Sequence, residues 1–282
     1  MEQLSFFDAE ERHRFWPDAD LRDGLPVNVA IGVPGVGERV EWGCMAVGSM
    51  PDLSFLGCST QFYPRWTWSR GTRRSNVSQS LERLFGSRYG RSVHPDEIYA
   101  YVYGFLHHPG FRRRFGATMF RELPRIALAP DFDAFRDAGA ELMQAHLHWQ
   151  LLEPHPLRPD PAGAPEDAYL LQPRGMRWSD GHSAIEVSDR MTLRGVPDCA
   201  RDYSICGRCP LEWAMRYWHV ATDASSGIVN DANAMFERPS DLAAALGRLI
   251  EVARCSAAII GDLPDNWGYA DDLGISGLHA AV

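Results

Sequence analysis

Sixteen residues near the middle of the chain, EPHPLRPDPAGAPEDA (153–168), contain five prolines. Each proline fixes φ and removes a backbone donor, so a run this dense cannot form a helix interior or a central strand. The segment reads as an exposed linker or long loop. It divides the 282-residue chain into residues 1–152, an N-terminal strand segment with an arginine-rich helical portion, and residues 169–282.

The two flanks differ in period. VNVAIGVP (27–34), the stretch 38–50 and LSFLG (53–57) are short apolar or β-branched runs separated by Gly and Pro, and read as strands of a small sheet. From Asn76 the spacing becomes helical. Val77, Leu81, Leu84 and Phe85 follow a Ser75 or Asn76 cap, and Ile98, Val102, Phe105 and Leu106 follow Pro95-Asp96-Glu97. A third helix opens in HHPGFRRRFGATMFREL (107–123), and a fourth runs through Phe135, Ala138, Leu142, Ala145 and Trp149. Beyond the proline run, AYLLQ, GMRW, SAIEV and MTLRGV suggest an antiparallel meander. Helices return at 210–220 and at 240–259, the latter capped by Ser240. The expected class is α+β: a small N-terminal sheet, a central helical group, and a C-terminal antiparallel sheet with helices, compatible with packing as one recognition domain.

No apolar run approaches the roughly 20 residues of a membrane helix, and the opening MEQLSFFDAEERHRFW is acidic rather than signal-like. A cytoplasmic protein with no membrane partner is expected. Six cysteines are too few for a disulfide scaffold at this length.

Motifs that would carry catalysis are missing from the sequence. GVPGVGE (32–38) has no Lys-Ser/Thr ending and reads as a turn. Gly-x-Ser-x-Gly, an activated Cys–His pair and Ser-Lys arrangements do not occur. Cys206-Gly-Arg-Cys209, with Cys199 and His219, supplies four soft groups, but the spacing is not that of a standard zinc module. Packed thiols are the preferred reading over zinc or redox chemistry. His107, His108, His146 and His148 lie among Asp131, Asp133 and Glu141, yet His146 and His148 fall on different helix faces, so surface or core histidines are preferred over a metal site. No catalytic residue, metal or cofactor is assigned.

Charge is the informative signal. The net charge of −9 argues against indiscriminate nucleic-acid binding, but it is unevenly spread: residues 1–60 carry −6, residues 61–125 carry +8 and residues 126–282 carry −11. All 28 basic residues are arginine, the side chain whose planar fork suits phosphate and the guanine edge. In QFYPRWTWSRGTRRSN (61–76), Arg65, Arg70, Arg73 and Arg74 interleave with Phe62, Tyr63, Trp66 and Trp68; Arg112, Arg113 and Arg114 follow later. Arginines among aromatics and small polar residues suit phosphate contact and base stacking, against the plainer alternative of a solvated loop over an aromatic core. The loop cluster is preferred, because helix packing could employ the RRRF arginines.

At these residues the chain resembles the C-terminal part of the type ISP restriction–modification enzymes, single-chain ATP-dependent DNA translocases with methyltransferase and nuclease activity. The resemblance lies in MPDLSFLGCSTQFYPRW (50–66), DEIYAYVYGFLHHPGFRRRFGATMFRELPRI (96–126), MTLRGVP (191–197) and GRCPLEWAMRYWHVATDASSGIVNDAN (207–233), in that order and over most of the chain. It implies a non-catalytic DNA target-recognition module. Such a module positions double-stranded DNA for an adenine-N6 methyltransferase, translocase and nuclease portion on the same or a separate chain. The resemblance also makes Cys209 a replacement for a small polar residue before Leu-Glu-Trp, which weakens the zinc reading. An interaction or inhibitor module that kept the fold without DNA affinity is the alternative, and suits the acidic charge. A metal-dependent hydrolase would need a carboxylate–histidine cluster that the sequence does not display.

Overall fold

The computed structural model describes residues 28–70, 72–119, 121 and 125–268. The acidic opening segment weighed above lies outside the described residues. The chain forms two compact units, one of residues up to Leu147 with those from Ile259 onward, the other His148–Ala258.

In the first unit, β1 (Ala30–Pro34) is the buried centre of an antiparallel sheet, with β2 (Met45–Val47) on one side and β3 (Thr60–Pro64) on the other. The glycine-rich segment after β1 is a turn: Gly35 N donates to Ser59 O at 2.8 Å, and no helix follows. Residues 53–57, expected as a strand, also form a turn. Asp52 Oδ1 accepts from Ser54 N at 2.6 Å, and Gly57 takes φ 71°. Local capping outweighs the apolar run there, leaving Leu53 and Phe55 exposed.

A second hairpin, β4 (Trp66–Ser69) and β5 (Thr72–Ser75), leads into α1 (Gln79–Tyr89), α2 (Pro95–His107), α3 (Pro109–Phe115) and α4 (Phe132–Leu147). The cap of α1 is Ser78, not Ser75 or Asn76, because Asn76 Nδ2 instead donates to Pro64 O at 2.9 Å. α2 starts with a reciprocal cap: His94 accepts from Asp96 N, and Glu97 accepts from His94 N at 2.8 Å. α3 ends earlier than expected, in a tighter turn at Gly116–Thr118; Phe120, Glu122 and Leu123 lie outside the described residues.

The string IYAYVYGF makes α2 the hub of this unit. Aromatics two positions apart on a helix point to different sides, so Tyr99, Tyr101, Tyr103 and Phe105 can be buried together only if neighbours surround the helix. Each hydroxyl satisfies a different neighbour. Tyr99 donates to Tyr63 O on β3 (2.7 Å), and Tyr101 donates to Ala127 O (2.6 Å) while accepting from Ala129 N (2.7 Å). Tyr103 accepts from Ala46 N on β2 (2.9 Å) and lies 2.6 Å from Nδ1 of His146 on α4.

α2 and α4 touch backbone to backbone. A Cβ on Gly139 would overlap the Ala100 carbonyl oxygen and come within 2.7 Å of Gly104 N; one on Gly104 would overlap the Phe135 carbonyl oxygen. Only glycine fits at either position.

In the second unit, β6 (Arg158–Asp160), β7 (Arg177–Ser179), β8 (Ala184–Ser188) and β9 (Met191–Arg194) form an antiparallel sheet in the order β6-β9-β8-β7. The proline-rich segment therefore supplies a regular element after all. Its Pro159 faces Leu193 in an edge strand, which pairs on one side only and can lack a donor. The start of AYLLQ is a 3-10 turn, Glu166–Tyr169, rather than a strand. Ile185 and Leu193 of the sheet pack with Leu211 of α5 (Pro210–Tyr217) and with Leu246 and Ile250 of α6 (Asp241–Gly261). Ser240 is no simple cap, since its hydroxyl donates to Glu166 at 2.8 Å. A small hairpin, β10 (Val220–Thr222) with β11 (Val229–Asp231), follows α5. Among the described residues, no helix is long and apolar enough to cross a membrane.

Two expectations follow from the first unit. Gly139→Ala should lower unfolding free energy by about 3 kcal/mol or more through backbone overlap, read as a shift in urea midpoint; an unchanged midpoint would contradict the helix contact. Acid should also act through the buried histidines. Burial pushes His107 down to about 4 and His146 well below its ordinary value. Both are neutral in the fold but take up protons when unfolded. Stability is therefore full above about pH 6.5 and is lost as pH falls toward 4, by about 3 kcal/mol from His107 alone. Denaturation midpoints over that window should fall steeply in the native chain and less steeply in His107→Gln.

Candidate nucleic-acid interface

The β4–β5 hairpin concentrates the arginine–aromatic residues singled out in the sequence. Its strands are rich in Trp and Thr, and the last pair of the ladder is Ser69 with Thr72. Arg70 sits at φ 51°, a left-handed conformation that costs a residue with a Cβ about 1 kcal/mol, and its side chain is exposed. The hairpin root is held firmly. Asn28 Nδ2 donates to Trp66 O (2.9 Å), Asn28 Oδ1 accepts from Trp66 N (3.1 Å), and Asn76 N donates to Arg65 O (3.0 Å).

Cross-strand register sorts the side chains. Trp68 faces Arg73 and Trp66 faces Ser75 on one side; Thr67 faces Arg74 and Ser69 faces Thr72 on the other. The Arg73 guanidinium lies 4.4 Å from the Trp66 ring centroid and that of Arg65 5.3 Å from it, so these three residues come together. Their chemistry is unequal. Arg65 grips both carboxylate oxygens of Asp96 at the start of α2, with Nε to Oδ1 at 2.7 Å. It ties the hairpin down rather than offering a free fork. Arg70, Arg73 and Arg74 are exposed, and among the described residues none of them has a carboxylate partner.

The second cluster is divided by helix geometry, since three consecutive positions cannot share a face. Arg112 donates to Trp42 O (3.0 Å) and meets Glu41 (3.3 Å), whereas Arg113 and Arg114 are exposed and Arg114 lies 5.7 Å from the Phe115 ring. Sequence reasoning missed Asn28, whose amide fixes Trp66 from 38 positions away. A single asparagine carries no pattern that would reveal this.

The soft-ligand group has structural work. Ile205 and Arg208 exchange backbone bonds (2.9 and 3.1 Å) around Cys206 and Gly207, at φ 51° and 79°. The C-x-x-C is thus a tight turn. Cys209 then occupies the N-cap of α5, with Glu212 accepting from its backbone N at 2.9 Å, the place a small polar residue favours. Burial pushes its thiol up to about 11, so it remains protonated. Cys199 lies in a separate 3-10 turn, Asp198–Arg201, and His219 follows the end of α5. His107 Nδ1 donates to Tyr103 O (2.8 Å), and His108 Nδ1 accepts from Gly110 N (3.1 Å) to cap α3. Among the described residues, no group of three or more His, Cys, Asp or Glu is placed to hold a metal.

No curated protein sequence matches the chain. Solved structures that share its fold include a nuclease-deletion mutant of the type ISP restriction–modification enzyme LlaGI in complex with a DNA substrate mimic. That likeness has a TM-score of 0.74 and 23% identity, over 90% of this chain and 22% of that one. The DrdV–DNA complex matches at TM-score 0.76 and 23% identity, over 91% and 26%. The ATP-dependent type ISP enzyme LlaBIII bound to DNA matches at 0.74 and 19%, over 84% and 16%. The present chain thus spans about a quarter or less of the length of these relatives. Residues 6–244 match the type ISP C-terminal specificity domain, and the chain belongs to that family.

Proposed function

We propose that the chain is the sequence-specific DNA target-recognition module of a type ISP-like restriction–modification system. It is non-catalytic itself, acts in the cytoplasm, and positions DNA for an adenine-N6 methyltransferase and translocase on the same or a separate chain. The observation that carries this is the β4–β5 hairpin, in which a fixed root presents Arg70, Arg73 and Arg74 with no carboxylate partner among the described residues. Membership of the specificity-domain family and the DNA complexes of its structural relatives support the same reading.

A two-stranded ribbon fits the major groove, and arginine can serve either a phosphate or the O6/N7 edge of guanine. Arg73, propped on Trp66, is pre-organised for a directed contact. Arg70 and Arg74 reach outward from the tip and the opposite face, and Arg113 and Arg114 add phosphate contacts from α3. Arg65 and Arg112 act as positioning residues, since Asp96 and the Trp42 carbonyl already engage them. A methyltransferase that acts on adenine must then extrude the base, which demands a duplex held in fixed register.

The net charge of −9 favours one competing reading, a protein-interaction module without DNA affinity. A gel shift on genomic DNA fragments separates the two. The native chain should bind selectively and weaken steeply with salt. Arg70→Ala/Arg73→Ala/Arg74→Ala should weaken binding by about 10-fold or more and lower the log–log salt slope by up to about 3. No binding at low salt, with a protein partner co-purifying, would establish the competitor.

A further inference from the structure

We propose that the second unit carries its own nucleic-acid contact, an arginine–aromatic stack built from Trp213, Arg216 and Tyr217 of α5 and Arg208 of the turn before it. The inference rests on the DNA-recognition reading and extends it to a face that contains none of the arginines considered above.

Trp213 and Tyr217, one helical turn apart, stack with centroids 5.7 Å apart and planes 2° from parallel. The Arg208 guanidinium lies 5.4 Å from the Trp213 ring and that of Arg216 5.7 Å from the Tyr217 ring. The stack is held in place. Trp213 Nε1 donates to Ile205 O at 2.9 Å, and the left-handed Cys206-Gly207 turn sets the position of Arg208. Tyr217 remains 44% exposed.

Many arginines elsewhere in this unit are paired with acids. Arg174, Arg177, Arg190, Arg194, Arg238 and Arg254 each meet a carboxylate, as expected where acids outnumber bases. Among the described residues Arg208 and Arg216 meet no carboxylate; their guanidinium groups lie near aromatic rings. Glu212, the acid on the same helix, is occupied by Cys209 N (2.9 Å) and Trp178 Nε1 (3.4 Å). A guanidinium over a ring keeps its full charge and outward N–H groups, which suit phosphate oxygens. An exposed aromatic beside it offers a face to an unpaired or splayed base. The ligand chemistry is therefore a nucleic-acid strand, read through phosphate and base stacking without sequence preference.

The test uses the full chain with a fluorescein-labelled oligodeoxythymidine single strand and with genomic duplex fragments. Arg208→Ala/Arg216→Gln should weaken binding to the single strand by about 10-fold and lower its salt slope by about 1.4. Tyr217→Ala should weaken it by at least about 5-fold, with unchanged circular dichroism. Photo-crosslinking of a 5-iododeoxyuridine strand should mark Tyr217 or Trp213, a readout that needs no variant to fold. Unchanged affinity and slope with no crosslink on α5, while the hairpin variant still loses duplex binding, would overturn this inference alone. The same holds if the variants release a co-purifying protein and leave DNA affinity intact. Failure of the native chain to bind any DNA would overturn the recognition reading as well.

Discussion

The backbone contact between α2 and α4 at Gly104 and Gly139 is the constraint from which the first unit follows. With no side chains between them, the helices approach until the Ala100 and Phe135 carbonyls lie against the opposite glycines. α2 is then enclosed, and its tyrosines must find buried partners for three hydroxyls. They do so on β3, on the 127–129 segment and on β2. This arrangement fixes the sheet against the start of α2, where Asp96 takes hold of Arg65 and thereby the root of the exposed hairpin. That ion pair, with the Asn28 hydrogen bonds to Trp66, joins core packing to the candidate interface.

A second principle is the sorting of cations in an acidic chain. Many arginines are paired with a nearby carboxylate. Arg91 hydrogen-bonds Glu97 and, with help from Arg136, holds its carboxyl at about 2, and Arg177 does the same for Glu186. Exposed ion pairs of this kind add little stability, but they remove charge from the pool available to a ligand. Some of the other arginines stand beside an indole ring instead, Arg73 by Trp66 and Arg208 by Trp213. Net charge says little about such local arrangements, because potential near a surface is set by the charges left unpaired within a Debye length.

Much of the architecture was legible from residue patterns. Helical spacing located α1, α2 and α4, because a buried stripe on a helix leaves a period in the sequence; Phe85, Ile98 and Leu142 lie on such stripes and all are buried. Short strands were harder. Leu53–Gly57 has the composition of a strand, but Asp52 and Gly57 turn it, and Pro159 joins a sheet because an edge position tolerates it. The C-x-x-C shows the same limit. Its spacing was read against metal chemistry, whereas the left-handed pair Cys206-Gly207 and the cap at Cys209 decide its role.

The sequence by itself determined the α+β class, the family resemblance, the absence of recognisable catalytic motifs and the concentration of arginine in residues 61–125, since these depend on residue identity and local period. Only the tertiary structure decided which of those arginines are available. Arg65 and Arg73 are indistinguishable as letters, yet one is spent on Asp96 and the other is left exposed over Trp66. A cation's availability depends on which carboxylates come within a few ångströms after folding. Those partners, like Asn28 for Trp66, are remote in the chain and leave no trace in its local pattern.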